Sequence, residues 1–148
     1  MDVKPAPSVI ELDAFLPYQI TRLADQIARR TAAIAKRHDG LNLSQWRVLA
    51  AVAERPGRTA NEVVAVTPMD KGIVSRAVKS LIEMNLISRK ASKKDGRISR
   101  LFLTVKGRRS YDAMAAEIRG VDETLRAPLS QQEYAHLQDM LQKLILQT

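Results

Sequence analysis

The sequence predicts a mainly α-helical chain carrying one small antiparallel β-hairpin, and three observations predict it. Apolar residues recur at helical spacing along five segments, with the full i, i+3, i+4, i+7 set at Val74, Ala77, Val78 and Leu81, and a sixth, shorter segment carries Val63 and Val64. Most of these segments open on a Ser, Thr or Asp with the capacity to cap a helix. Between the fourth and fifth of the six in chain order, two short runs alternate apolar and polar residues around an Asp-Gly bend. At 148 residues the chain is expected to form one domain with a substantial core.

Residues 1–16 read as an arm: Pro5 and Pro7 lie within it and Pro17 follows it. Ser8 and Glu11 have capping-box spacing, so a short helical turn is possible there. Pro17 suits the first turn of a long helix, where its missing N–H costs nothing. That helix runs to about Arg37, with Ile20, Leu23, Ala24, Ile27, Ile34 and Ala35 as its stripe, and His38-Asp39-Gly40 ends it through a left-handed Gly40. Ser44 is read as the N-cap of a second helix, Gln45 to Ala53, with Leu43 and Val48 closing a hydrophobic staple. Arg55-Pro56-Gly57 is a turn. Thr59 and Glu62 form the capping box of a short helix through Ala65 that buries Val63 and Val64.

After the Val66-Thr67-Pro68 turn, Asp70 or Thr67 caps a fourth helix reaching about Met84, with Asn85 in the left-handed exit position. Strands Leu86 to Ala91 and Ile98 to Leu103 follow, with Leu101 and Leu103 inward and Arg100 and Phe102 outward. Thr104 caps a fifth helix to roughly Arg126, striped by Tyr111, Met114, Ile118, Val121 and Leu125. Pro128 breaks it, and Ser130 with Glu133 opens a last helix bearing Leu137, Met140, Leu141, Leu144 and Ile145. The first helix and the last two carry apolar stripes that need a partner, and a symmetric dimer supplies one economically.

The fourth helix concentrates the functional signal. Val74, Ala77, Val78 and Leu81 share one face, while Lys71, Gly72, Ser75, Arg76 and Lys79 occupy the other, which carries no acid. A helix that is apolar behind and small, hydroxylic and basic in front suits a DNA major groove. Charge placement agrees. Residues 71–109 hold 12 of the 24 Lys/Arg but only 2 of the 16 Asp/Glu, so this segment is +10 and the remainder −2. A basic run on a helix, turn, helix and hairpin points to nucleic acid rather than to a merely solvated face. The Arg76 fork can grip guanine O6 and N7 together, whereas Lys93 and Lys94 suit phosphates.

Other chemistries are disfavoured. There is no cysteine, so disulfides, thiolate metal sites and thiol redox sensing are excluded. His38 and His136 have no carboxylate cluster at metal-ligand spacing, and neither a nucleophile elbow nor a glycine-rich phosphate loop occurs. No enzyme activity and no cofactor are therefore expected. No apolar run is long enough to span a membrane, and the N-terminus lacks signal-peptide regions, so the default compartment is the cytoplasm.

The stretch Met69-Asp70-Lys71-Gly72-Ile73-Val74-Ser75-Arg76, then Asp95-Gly96-Arg97, Leu101-Phe102-Leu103-Thr104 and Gly107, resembles the MarR family of bacterial regulators from Pro17 to Gln147. The resemblance implies a winged helix-turn-helix with long N- and C-terminal dimerisation helices. It divides one compact unit into an arm and dimerisation helix (1–40), a DNA-binding region (41–104) and C-terminal dimerisation helices (105–148). It further implies a homodimer binding an inverted repeat in double-stranded DNA. Lys71, Gly72, Ser75 and Arg76 would stand at base- and phosphate-contacting positions, with Lys79 on the same face. Lys93 and Lys94 lie in the wing. Arg97 would reach the minor groove there, with Asp95 orienting the loop by a salt bridge. Such regulators often hold a small aromatic or anionic effector, for which the candidates are Tyr18, Arg22, His38, Trp46, Arg47 and Tyr111, although Trp46 and Tyr111 also fit plain core or boundary roles. Pro68 and Gly72 depart from the family's more frequent residues.

Two other readings compete. A non-specific architectural DNA-binding protein would show a basic face without a base-reading residue, against which Arg76 stands. A protein-interaction winged helix would show acids or apolar residues at positions 71, 76 and 97, which are Lys, Arg and Arg.

Overall fold

The computed structural model describes residues 2–4 and 6–147. Met1, Pro5 and Thr148 lie outside the described residues, and with Pro5 goes part of the expected arm. The elements are α1 (Leu16–Arg37), α2 (Leu43–Glu54), α3 (Ala60–Val66), α4 (Lys71–Glu83), β1 (Ile87–Ala91), β2 (Ser99–Leu103), α5 (Val105–Arg126) and α6 (Gln131–Gln147). A hydrogen-bonded turn closes at Pro7–Ser8, where the Val9 N–H donates to the Ala6 carbonyl at 2.8 Å, and a 3-10 helix, Leu12–Ala14, precedes α1.

Local signals explain most boundaries. Asp70 Oδ1 accepts the Ile73 N–H at 2.8 Å and caps α4. Thr59 Oγ1 accepts from Glu62 at 3.2 Å, and Thr104 Oγ1 from Gly107 at 2.9 Å. Ser130 and Glu133 make both bonds of a capping box. Asn85 takes φ +59°, the left-handed exit the sequence predicts, and at the end of α1 Asp39 joins Gly40 in that region.

The start of α2 corrects the sequence reading. Asn42, not Ser44, is the N-cap: its Oδ1 accepts the Gln45 N–H and its own N–H donates to Gln45 Oε1, both at 2.8 Å. Leu43 therefore enters the helix, and the position from which a staple would close passes to Leu41, which is fully buried. Gln45 has a second use that drew it inward: its Nε2 donates to Ser80 Oγ at 2.8 Å, tying α2 to α4.

The core lies among α2, α3, α4, the hairpin and the start of α5. Val48, Leu49, Val52, Val63, Val74, Val78, Leu81, Leu86, Ile87, Leu101 and Met114 are essentially inaccessible. β1 and β2 pair antiparallel, with Arg89 opposite Leu101 and Lys90 opposite Arg100. Leu101 is buried and Leu103 packs at the core's edge. The long helices behave differently along their length. The second half of α1 buries Thr31, Ile34 and Ala35, but Ile20 and Leu23 in its first half are exposed. α6 buries none of its side chains, although its apolar stripe is present. No described helix is long and apolar enough to cross a membrane.

Candidate nucleic-acid interface

The apolar face of α4 (Val74, Ala77, Val78, Leu81) is buried, so rotation of the helix is fixed. Lys71, Gly72, Ser75, Arg76 and Lys79 are consequently held outward as one exposed strip. At Gly72 an added Cβ would lie 3.4 Å from both Arg76 Nη1 and Asp70 Oδ1. The Arg76 guanidinium thus reaches back over the first turn of α4, across ground that glycine leaves clear.

The wing is shaped by its own polar groups. Ser92 N–H donates to the Ile98 carbonyl at 2.8 Å, and Ile98 N–H to the Asp95 carbonyl at 3.0 Å. Asp95 Oδ1 accepts the Arg97 backbone N–H at 3.0 Å. This corrects the expected Asp95–Arg97 salt bridge: the carboxylate organises the loop through a side-chain-to-backbone turn, and among the described residues no ion pair holds the Arg97 guanidinium.

The hairpin separates the wing cations onto two faces. Arg97 lines a groove of about 590 Å³ with Lys71, Thr59, Asn61, Arg89 and Arg100, between the start of α3, the start of α4 and the strands. Lys93 and Lys94 line a second cavity of about 390 Å³ with Lys90, Arg100 and Phe102. The Lys90 ammonium sits 5.2 Å from the centre of the Phe102 ring. Arg89 is the residue that sequence reasoning missed: strand alternation sets it apart from Lys90, on the same groove as Lys71 and Arg97.

The six effector candidates do not converge within one chain. Tyr18 and Arg22 line a shallow groove at the start of α1, where Arg22 stands 3.8 Å from Asp13. His38 lies at the other end of that helix and makes a 2.8 Å contact with Glu117 of α5, which Arg37 also pairs at 2.5 Å. Hydrogen bonds from His38 and then Arg37 hold the Glu117 carboxyl below its ordinary range. Trp46 and Tyr111 stack with centroids 5.5 Å apart and planes within 6°. Their pairing joins α2 to α5 and leaves no slot between the rings. Arg47 is half-buried on α2.

A buried-backed helix presenting cations, followed by a basic hairpin, defines a winged helix-turn-helix DNA-binding protein. Comparison with known proteins agrees. A family model described as MarR family matches residues 39–98. The HTH-type transcriptional regulator BilQ of Clostridium symbiosum is 27% identical over 106 residues, spanning 72% of this chain and 74% of its own. A probable transcriptional regulator from Pseudomonas aeruginosa is 31% identical with a TM-score of 0.69, covering 88% of this chain and 99% of the other. MepR of S. aureus, solved as a DNA complex, shares the fold at a TM-score of 0.82 and 18% identity, over 93% of this chain and 99% of its own. The chain belongs to the MarR family of DNA-binding transcriptional regulators.

Proposed function

We propose that this chain is a homodimeric, sequence-specific repressor that acts in the cytoplasm on an inverted-repeat operator and is released by a small aromatic or anionic effector. The observation that carries the DNA-binding part is charge without internal compensation. Among the described residues, Lys71, Arg76, Lys79, Lys93, Lys94 and Arg97 take part in no ion pair; unpaired cations such as Arg30, Arg47 and Arg119 occur elsewhere, but outside the 71–109 segment in which 12 basic residues meet only 2 acids. Unpaired cations gathered on one helix face and one hairpin suit phosphates and base edges.

In this reading α4 enters the major groove, with Arg76 reading bases and Lys71, Gly72, Ser75 and Lys79 lining the contact. Lys93 and Lys94 take phosphates, Arg97 reaches the minor groove, and Asp95 keeps the loop in shape. Residues 41–104 serve as the DNA-binding region, and 1–40 with 105–148 as the dimerisation layer. The exposed apolar residues of α1 and α6 support a second copy as their cover.

For the effector, support comes from PcaV of Streptomyces coelicolor, a protein of the same fold (TM-score 0.76, 21% identity) that was solved with its natural ligand. Here Tyr18 and Arg22 sit on α1, His38 caps its end, Trp46 and Arg47 sit on α2, and Tyr111 on α5. A ligand held among them acts only by favouring one spacing of the two α4 helices. The reading is tested by binding to the chain's own upstream DNA against random duplex across a salt series. A preference that persists at physiological salt supports it; equal, steeply salt-sensitive binding replaces it with a non-specific architectural role.

A further inference from the structure

A two-stranded hairpin has little stability alone, so something must fix the wing relative to α4. On one side Thr104 does this, donating its N–H to the Leu86 carbonyl at 3.1 Å and its hydroxyl to the Asn85 carbonyl at 2.7 Å. On the other side the turn after α2 hydrogen-bonds to the backbone of β2. Gly57 N–H donates to the Leu101 carbonyl at 2.8 Å, and Leu101 N–H to the Arg58 carbonyl at 2.9 Å. Arg100 Nη1 donates to the Gly57 carbonyl at 3.1 Å.

That turn is itself held by a buried charge. The Arg58 side chain is only 5% exposed and folds back over the end of α2. Its Nη1 donates to the Ala51 carbonyl at 2.6 Å and its Nη2 to Glu54 Oε1 at 2.8 Å. A guanidinium placed on the last carbonyls of a helix also meets the negative end of the helix dipole. Glu54 is 75% exposed, so the pair costs the desolvation of one charge rather than two. Arg58 lines neither wing cavity, which separates it from the cations expected to touch DNA.

We infer that Arg58 is a positioning residue for the wing: by locking Gly57–Arg58 onto α2, it sets where β2 and therefore Lys93, Lys94 and Arg97 stand relative to α4. Arg58 contributes to DNA affinity through the wing's phosphate contacts and not through any contact of its own. The inference rests on the reading of Lys93 and Lys94 as phosphate contacts, and the experiment reports on the two separately.

The slope of log K against log salt is measured on duplex DNA for the full-length wild type, for Lys93→Ala/Lys94→Ala, for Arg58→Met, for Arg58→Lys, and for Arg58→Met combined with the lysine pair. Circular dichroism and size-exclusion chromatography establish folding. Removing the lysine pair should lower the slope by about 0.9 for each phosphate that is no longer neutralised. Arg58→Met, which keeps bulk without charge, should lower it by a similar amount, and the combined variant should fall no further. Arg58→Lys, able to meet one acceptor but not both, should lie between. If the lysine-pair variant keeps the wild-type slope, the wing's phosphate role is wrong and the inference falls with it. If that variant shows a lower slope but folded Arg58→Met keeps the wild-type value, the inference alone fails. Should Arg58→Met not fold, Arg58→Lys decides: a reduced slope sustains the positioning role, and a wild-type slope overturns it.

Discussion

Gly107 packs directly on the backbone of Leu86: a Cβ at position 107 would lie 1.9 Å from the Leu86 carbonyl oxygen. The first turn of α5 thus meets the chain as it leaves α4, and only a missing side chain permits it. Gly107→Ala must push the two apart. We expect a loss of about 1–3 kcal/mol, the usual cost of overpacking, in urea unfolding. Wild-type stability in this variant would show that the packing yields freely.

Loss of the α4 cap should be felt locally. Asp70→Ala removes the acceptor for the Ile73 N–H and should cost about 1 kcal/mol, with earlier hydrogen exchange in the first turn of α4. Asn85→Gly, at φ +59°, should instead be neutral or slightly stabilising, because glycine adopts that conformation without strain.

The link between α1 and α5 should fail on acidification. The Glu117 carboxyl, held by His38 and Arg37, is more acidic in the folded chain than its ordinary value of 4.5. Its contribution is therefore fully present above that value and lost as pH falls through the lower, folded one. Wild type should exceed Glu117→Gln in melting temperature at neutral pH, with the gap closing in acid. A gap that widens in acid would contradict the assignment.

The sequence carried the α4 strip unusually well, because its buried and exposed faces differ sharply in chemistry, and the choice the sequence left between Thr67 and Asp70 as cap falls to Asp70 without turning the helix. Asn85 was legible for a similar reason: few residues other than glycine tolerate φ near +60°. The start of α2 was misread because Asn42 and Ser44 are both good caps. The discriminating signal was local, since Asn42 with Gln45 has capping-box spacing and Ser44 with Arg47 does not; only the bond from Gln45 to Ser80, 35 residues away, lies beyond any local pattern. Arg58 stayed hidden for the same reason: a buried arginine looks like a solvated one until its carbonyl partner is known. The Asp95–Arg97 pair illustrates the limit of charge arithmetic, since the carboxylate chose a backbone N–H.

Dimerisation is tested at α6, where Leu137, Met140 and Leu141 are exposed. Leu141→Glu should produce monomers in light scattering. Operator affinity should fall by on the order of 10², since two linked half-site binding events become independent. A monomeric wild type would place the cover of this stripe elsewhere.

The central claim is that α4 reads sequence through Arg76. Its most direct test is the affinity of wild type and Arg76→Ala for the chain's own upstream DNA and for random duplex, at one physiological salt concentration. The account predicts that the variant loses about 1–3 kcal/mol of discrimination while its binding to random DNA changes far less. An equal loss on both duplexes would make Arg76 a phosphate contact and contradict base reading by this residue.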